Sequence, residues 1–273
     1  SKTRVIYFES PVNPTLDVID IGAWASIAAA ANADRPDNER IWVVVDNTFA
    51  TPYCQRPLSL GADIVVHSLT KNVMGFGTDM GGIVVGPLAI HERIRLARKD
   101  FGGVVAPRAA WNILVYGLSS LAIRMDKQMA NADEVASYLE QRPEVALVAY
   151  PGLKSHPQQE LAKRQMRDFK DRFAPGLMVY FELACEGDNG YHRAKAFMDY
   201  IARESYVITL AVSLGQVKTL IEAPPLMTHC VYGDSAATAG MSFGSIRLSM
   251  GIEEPADIIR DLEAAFEFVK DLE

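Results

Sequence analysis

Short apolar runs alternate with longer amphipathic segments along the first half of the chain. Two of these segments, Asp17–Ala33 and His91–Lys99, have the spacing of apolar residues that is typical of helices. The short apolar runs are rich in β-branched residues and end at turn residues, a pattern typical of strands buried in a parallel sheet. Four runs are predicted to be such strands: Arg4–Phe8, Ile41–Val45, Ile64–Val66 and Ile83–Val85. The order of these elements favours an α/β layer built on a mainly parallel sheet.

The second half begins with a long helical pattern from Arg108 to Tyr138. Beyond it, alternating patterns predict a second α/β layer, with strands at Val145–Tyr150, Leu177–Leu183, Tyr206–Leu210 and Ser245–Ser249 and helices at Gln158–Met166, His192–Arg203 and Pro255–Leu272. The last helix has a proline at its first position and apolar residues every three to four positions. We therefore predict a large domain at residues 1–121 and a smaller C-terminal domain at residues 122–273.

Composition narrows the classes of function. About half of the 273 residues are apolar, and the net charge is −7 without a basic stripe, which argues against a nucleic-acid surface. No apolar run has the length of a membrane span. Cys54, Cys185 and Cys230 are far apart and have no metal-ligand spacing, so we expect free thiols in a reducing compartment. The expectation is a cytoplasmic protein without a metal and without nucleic-acid or membrane partners.

Polar residues follow two successive predicted strands. Asp46 comes directly after Ile41–Val45, and the sequence His67-Ser68-Leu69-Thr70-Lys71 follows Ile64–Val66. Ligands bind outside the carboxyl ends of the strands in open α/β sheets. Ser68 and Thr70 are two residues apart, so on an extended strand their hydroxyls point the same way. One sheet edge is therefore expected to collect an acid, two hydroxyls and a lysine.

Such a set suits pyridoxal phosphate, which needs a lysine amine for a Schiff base, an anion near its ring nitrogen and donors for its phosphate. Taken singly, a lysine after a strand is more often a solvated charge, and Asp-Asn after a strand is more often a turn. An acid and a lysine leaving successive strands at one edge favour the cofactor site.

The chain resembles the Cys/Met-metabolism family of pyridoxal-phosphate enzymes over nearly its whole length. The motifs that carry the resemblance occur in the family's order: YFESPVNPT (7–15), VVVDNTFATPY (43–53), GADIVVHSLTK (61–71), AVSLG (211–215), MTH (227–229) and IRLSMGIE (246–253). The family includes methionine γ-lyase, cystathionine γ-lyase and γ-synthase, and O-acetylhomoserine sulfhydrylase. The resemblance implies the fold-type I class of pyridoxal-phosphate-dependent transferases.

The resemblance also assigns roles at the cofactor. Lys71 is expected to form the Schiff base and to move protons at the substrate, and Asp46 to keep the ring nitrogen protonated. Ser68 and Thr70 are expected to bind the phosphate, and Thr48 to lie near the ring.

On the substrate side, Arg247 matches the arginine that binds the substrate α-carboxylate, and Asn13 and Ser213 match residues beside it. A planar guanidinium suits a carboxylate. An arginine within an apolar strand is costly unless paired, so a structural salt bridge to the last helix is the alternative.

Two features favour a methionine-type substrate. Lys99-Asp100 resembles a pair found in methionine γ-lyases, and Val212 stands where relatives that cleave cystathionine carry an acid. We expect γ-elimination on a sulfur amino acid, which yields a 2-oxo acid, ammonia and a thiol. The alternatives are γ-replacement on an O-acylhomoserine by a sulfhydrylase or cystathionine γ-synthase, and an inactive fragment or interaction half.

Relatives carry an N-terminal segment that has no counterpart in this chain. That segment holds a glycine-rich phosphate-binding turn, an aromatic residue that stacks on the ring, and a tyrosine and an arginine lent to a neighbouring subunit. The resemblance therefore implies that this chain holds only part of a site. It also implies a homo-oligomer, a dimer of dimers, in which subunits share residues.

Overall fold

The computed structural model describes residues 2–184, 189–227 and 242–270. Contacts divide the chain into two compact units. The first unit contains Ser1–Val12, Asp17–Leu121 and Glu160–Ala174, and the second contains Asn13–Leu16, Ala122–Gln159 and Pro175–Glu273. The domain boundary after residue 121 stays a prediction.

The first unit is built on a four-stranded sheet. Its strands occur in the order β1 (Val5–Glu9), β2 (Trp42–Asp46), β3 (Ile64–Ser68) and β4 (Gly82–Val85). The first three strands are parallel, in a register that pairs Glu9 with Asp46 and Asp46 with Val66. The predicted α/β class with a mainly parallel sheet is confirmed for this unit.

Strand β4 differs from the prediction in direction and in burial. It runs antiparallel to β3, and it lies at the end of the strand order. Ile83, Val84 and Val85 are 40–43% exposed, whereas the sequence predicted a buried strand. An apolar run indicates that a strand can pack in a core, but it does not show which strands lie beside it in the sheet.

Helices of the first unit are α1 (Ile21–Asn32), α2 (Thr51–Cys54), α3 (Leu88–Phe101) and α4 (Pro107–Asn112). Helix α1 begins four residues later than predicted because the side chain of Asp20 caps it, accepting a hydrogen bond from the N–H of Ala23 at 2.9 Å. Its buried residues Ile21 and Ala28 belong to a core with Ile41, Val43, Val45 and Ala62. Two further helices, α5 (Ser119–Glu140) and α6 (Gln159–Gln165), follow. Within the described ranges, no helix is both long enough and apolar enough to cross a membrane.

The second unit contains a five-stranded sheet in the order β5-β6-β9-β8-β7. Its strands are β5 (Val145–Ala149), β6 (Met178–Leu183), β7 (Thr209–Leu210), β8 (Leu220–Glu222) and β9 (Ser245–Ser249). The pairs are antiparallel except for β7 with β8. Strand β7 is shorter than predicted, and β8 was not predicted.

Helices α7 (Asn189–Glu204), α8 (Pro224–Met227) and α9 (Pro255–Val269) complete the second unit. The buried rings of Phe181, Phe197 and Phe266 have centroids within 6.4 Å of one another. They join β6, α7 and α9 in one core. This core fixes the sheet that carries β9.

Candidate functional site

The carboxyl ends of β2 and β3 meet through Thr48. The Oγ1 atom of Thr48 accepts a hydrogen bond from the backbone N–H of Ser68 at 2.9 Å. The backbone N–H of Thr48 donates to Oδ1 of Asp46 at 2.9 Å. Three of the predicted cofactor residues, Asp46, Thr48 and Ser68, are therefore held together at one sheet edge, and each is half-buried.

Lys71 lies in a single π-helical turn, Leu69–Val73, that begins directly after β3. The turn closes through a hydrogen bond from the N–H of Met74 to the carbonyl of Leu69 at 3.0 Å. Lys71 interrupts the helical geometry with φ −91° and ψ −130°. Asn72 anchors the turn, because its side-chain amide donates to the carbonyls of Thr48 and Phe49 at 3.2 and 3.0 Å. The half-buried Lys71 is thus tied to the same strand ends as Asp46.

Thr70 does not lie on an extended strand beside Ser68, as the sequence analysis assumed. Strand β3 ends at Ser68, and Thr70 belongs to the π-helical turn. Its hydroxyl accepts a hydrogen bond from the N–H of Gly81 at 3.1 Å and donates to the Gly81 carbonyl at 3.3 Å. Thr70 also lines a groove of about 830 Å³ between β4 and α3, of which neither Lys71 nor Asp46 is part. The extended strand on which the common orientation of the two hydroxyls was predicted is wrong, because the backbone leaves the strand between them.

Two residues that the sequence analysis did not assign to the cofactor lie against Asp46. The hydroxyl of Tyr7 donates to Oδ2 of Asp46 at 3.2 Å. Partial burial and the adjacent carboxylate raise the pKa of Tyr7 to about 12. Burial lowers the pKa of His67, against the opposing charge of Asp46. Among the described residues, Nδ1 of His67 has no hydrogen-bond partner.

Arg247 lies on β9 in the second unit, and its side chain is only 4% exposed. Its Nη1 donates to Oδ1 of Asn13 at 2.7 Å, and its Nη2 donates to the carbonyl of Ser213 at 3.2 Å. The three residues predicted to bind the substrate carboxylate are therefore in contact. Ser213 contacts Arg247 through its backbone carbonyl.

The ion pair of Arg247 is with Glu222 on the adjacent strand β8, at 2.9 Å, rather than with the last helix. Burial lowers the pKa of Arg247, and the negative charge of Glu222 opposes this shift. Sequence reasoning missed Glu222. The signal was present, because a carboxylate within the apolar run Leu220–Ala223 is costly unless it is paired.

The predicted specificity residues are exposed. Lys99 and Asp100 lie in the last turn of α3, and Val212 follows β7 with 55% of its surface exposed. Cys54 is buried. Cys185, Cys230 and His229 of the MTH motif lie outside the described residues.

The chemical types of the candidate residues in the first unit fit pyridoxal phosphate. Asp46 is held by hydrogen bonds at both carboxylate oxygens, which orients an anion suited to a protonated ring nitrogen. Lys71 supplies an amine from a turn fixed to the same strand ends. Because the Thr70 hydroxyl donates to Gly81, Ser68 is the better side-chain donor for a phosphate.

Comparisons with known proteins agree on one family. Residues 1–267 match the family model described as Cys/Met metabolism PLP-dependent enzyme. An L-methionine γ-lyase of Pseudomonas putida is 43% identical over 266 residues, which cover 96% of this chain and 61% of that protein. A cystathionine β-lyase of Lactococcus lactis subsp. cremoris is 40% identical over 97% of this chain and 64% of that protein.

Solved structures give the same result for the fold. The crystal structure of cystathionine γ-lyase from Lactobacillus plantarum, complexed with L-serine, has a TM-score of 0.85 and 36% sequence identity. The match covers 98% of this chain and 65% of that chain. The chain therefore spans less than two thirds of the length of these relatives.

Proposed function

Because this chain belongs to the Cys/Met-metabolism family of pyridoxal-phosphate-dependent enzymes, we propose that the protein catalyses γ-elimination on a sulfur amino acid, as a methionine γ-lyase does. With L-methionine and water, this reaction gives methanethiol, 2-oxobutyrate and ammonia. One observation carries the proposal: the turn with Lys71 is fixed by Asn72 to the loop that follows Asp46. Relatives named L-methionine γ-lyase support the choice of substrate.

In this proposal the first unit binds the cofactor. When bound, pyridoxal phosphate withdraws the electrons that remain at the substrate Cα after its proton leaves. The Asp46 carboxylate would accept a hydrogen bond from the ring N–H and keep that proton in place. Ser68 would donate to the phosphate, and Thr48 holds the two strand ends together. Before substrate binds, the amine of Lys71 would hold the cofactor. As a free amine it would then take the proton from the substrate Cα and return protons later in the reaction.

The second unit binds the substrate carboxylate in this proposal. The guanidinium of Arg247 presents parallel N–H donors, which suit the two oxygens of an α-carboxylate. Asn13 and Ser213 hold the guanidinium from two sides. For specificity, we propose that Val212 offers an apolar surface to a thioether methyl group and that Lys99 and Asp100 contribute as they would in a methionine γ-lyase. The domain division at residues 1–121 and 122–273 belongs to the same proposal.

A second candidate is cleavage of cystathionine, which the relatives named cystathionine β-lyase favour at 40% identity. Cystathionine carries a second amino group on its distal arm, and an acidic residue would suit that group. Val212 provides no charge at this position. L-methionine is therefore the first substrate to test.

We also propose a homo-oligomer, a dimer of dimers, in the cytoplasm. Exposed apolar side chains of the first unit support association, since Leu88 and Phe101 on α3 are 86% and 89% exposed. The three cysteines, which lie far apart in the sequence without metal-ligand spacing, support a reducing compartment. Sedimentation of the active protein as a monomer would contradict the oligomer.

The first experiment is a visible absorption spectrum of the purified full-length protein before and after addition of L-methionine, with an assay of 2-oxobutyrate and methanethiol. We expect a cofactor band that changes with L-methionine, and formation of both products. A protein that ignores L-methionine but consumes O-acetylhomoserine together with a thiol would support γ-replacement instead. A protein without a cofactor band, even after incubation with pyridoxal phosphate, would reject the enzymatic function.

Lys71→Ala tests the central residue in the same assay. We expect turnover to fall by at least about a thousandfold, because no other amine replaces it at the substrate Cα. Circular dichroism is expected to show an intact fold, since the side chain is only half-buried. Lys163→Ala removes an exposed lysine that pairs with Glu160 on α6 and serves as the control. Wild-type turnover in Lys71→Ala would reject the role of Lys71.

A further inference from the structure

Glu222 and Arg247 are direct neighbours across two strands of the second unit. They are register partners on the antiparallel strands β8 and β9, so their side chains leave the sheet on the same face. Oε1 of Glu222 lies 2.9 Å from Nη2 of Arg247, and the two side chains are 2% and 4% exposed. Burial strengthens the attraction between opposite charges because little water screens it. The pair is therefore a strong local constraint on the guanidinium.

The guanidinium has further acceptors around it. Nη2 carries two N–H groups, and its neighbours include Oε1 of Glu222 and the carbonyl of Ser213. Nη1 donates to Oδ1 of Asn13. Arginine binds a carboxylate best through two parallel N–H groups. A substrate carboxylate that uses Nη2 must therefore replace one of these acceptors or share a hydrogen with it.

The charge balance of the cluster changes when a carboxylate arrives. In the structure, one cation faces one anion, and the pair is neutral overall. On the other side of Arg247, its register partner on β6 is Tyr180, whose hydroxyl is hydrogen-bonded to Glu182 and Ser245. Burial, together with Glu182, raises the pKa of Tyr180, so Tyr180 stays neutral. A substrate carboxylate therefore adds a second anion beside the buried pair of Arg247 and Glu222.

We propose that Glu222 is an internal counter-ion that takes the place of the substrate carboxylate on Arg247 and thereby sets the affinity for that carboxylate. Glu222 orients the guanidinium and neutralises it in the empty site. The same charge repels the incoming carboxylate and keeps substrate affinity moderate. Glu222 is thus a positioning residue that acts through Arg247. The identity of the ligand rests on the proposed function, whereas the ion pair does not.

Glu222→Gln separates the charge from the geometry. Glutamine keeps an oxygen that accepts a hydrogen bond from Nη2, but it carries no negative charge. The probes are L-norleucine, which resembles methionine but has no sulfur to eliminate, and L-norleucinamide, in which a neutral amide replaces the carboxylate. Their dissociation constants are measured by calorimetry on the full-length protein with its cofactor. We expect L-norleucine to bind more tightly by on the order of tenfold, and L-norleucinamide to change by less than about twofold.

Steady-state kinetics give a second readout. With L-methionine, Glu222→Gln is expected to lower KM by on the order of tenfold and to leave kcat within about twofold, because the charge acts on carboxylate binding. Glu222→Asp keeps the charge on a shorter side chain that reaches Arg247 less well. This variant is expected to give an intermediate tightening of L-norleucine, and it tests the proposal if Glu222→Gln does not fold.

The matched control is Glu182→Gln. Glu182 lies on the neighbouring strand β6 and accepts a hydrogen bond from Tyr180 at 2.6 Å. We expect this variant to leave the affinity for both probes within about twofold. If Glu182→Gln changes the affinities for the two probes as Glu222→Gln does, the change comes from a general loss of negative charge. The proposal is then wrong.

The outcomes also separate this proposal from the proposed function. If Glu222→Gln weakens L-norleucine, leaves it unchanged, or tightens both probes equally, the counter-ion role is overturned even when the wild type converts L-methionine. If the probes respond as expected but the wild type does not convert L-methionine, the counter-ion role stands and γ-elimination fails.

Discussion

The two clusters of candidate residues are held in place by different forces. In the first unit, Asp46, Ser68 and Lys71 are half-buried, and backbone hydrogen bonds and one side-chain amide fix the strand ends and the turn that carry them. In the second unit, Arg247 is buried within a five-stranded sheet and paired with Glu222. One cluster depends on loop geometry, and the other depends on charge compensation.

This difference predicts whether a substitution mainly changes the stability of the fold or the geometry of the site. Changes in the Arg247 cluster remove one partner of a buried ion pair, so they should lower the stability of the second unit directly. Changes around Lys71 alter a turn at the edge of a sheet, so they should displace the site more than they destabilise the fold. Three substitutions test this contrast.

The largest effect is expected from Arg247→Leu. The change leaves the buried Glu222 carboxylate without this cation, and we expect the free energy of unfolding to fall by about 3–5 kcal/mol. Urea denaturation measures the loss. The double variant Glu222→Leu with Arg247→Leu removes both charges and is expected to recover most of it.

The control for this pair is Lys195→Ala on α7, which removes an exposed ion pair with Asp199 at 2.7 Å. Exposed pairs contribute little, so we expect a change of less than about 1 kcal/mol. The contrast between the clusters fails if Arg247→Leu costs no more than this surface variant.

An intermediate effect is expected from Gly117→Ala. A Cβ atom at residue 117 would lie 2.5 Å from the carbonyl oxygen of Val73 and 2.8 Å from Cα of Met74, so the end of the turn that carries Lys71 must move. We expect a loss of about 1–3 kcal/mol in thermal or urea unfolding, as for other overpacked sites. Pyridoxal phosphate should also be lost faster during dialysis.

Gly103→Ala is the matched control for the glycine, because the nearest atom to its added Cβ is Cγ of Arg98 at 3.9 Å, an ordinary contact. Unfolding and cofactor retention should both stay close to the wild type. Wild-type cofactor retention in Gly117→Ala would show that the turn geometry does not hold the site.

The smallest effect is expected from Tyr7→Phe, which removes the hydrogen bond to Asp46. Because Tyr7 is 57% exposed, water screens the interaction, and we expect a loss below about 1 kcal/mol. The folded-state pKa of about 12 lies above the ordinary value of 10.0. The stabilisation by the phenol is therefore complete below pH 10 and disappears as the pH rises towards 12.

Urea denaturation of Tyr7→Phe and the wild type at about pH 8 and about pH 11 measures this difference. We expect the gap between the two proteins to shrink at the higher pH. Tyr206→Phe, at a fully exposed tyrosine, controls for the loss of a phenol. A gap that widens with pH would contradict the assigned hydrogen bond.

Much of the fold was predictable because β-branched runs have few alternatives to a strand. Strands β1, β2 and β3 begin and end within two residues of their predicted positions. The run Ile83–Val85 has the same composition, yet it forms an exposed, antiparallel edge. The strands beside it determine how far it is buried, and the sequence of the run does not specify those strands.

Contacts among the candidate residues were predictable where a buried residue type needs partners. Arg247 stood out because a buried guanidinium needs partners, and its partners in the structure include Glu222, Asn13 and Ser213. The same reasoning applied to Glu222 would have found its partner, but the three-residue strand β8 gave no periodic pattern to prompt it. The orientation of Thr70 was not predictable, since a π-helical turn has no sequence signature comparable to a capping residue.

The exposed edge of β4 has a practical consequence for work with this stretch of sequence. An edge strand with a free row of backbone groups and exposed valine and isoleucine side chains can recruit another strand, which is a common route to aggregation. Soluble expression of residues 1–273 alone is therefore expected to improve when Val84, which is 43% exposed, is replaced by lysine. The strand would then repel its copies at high concentration.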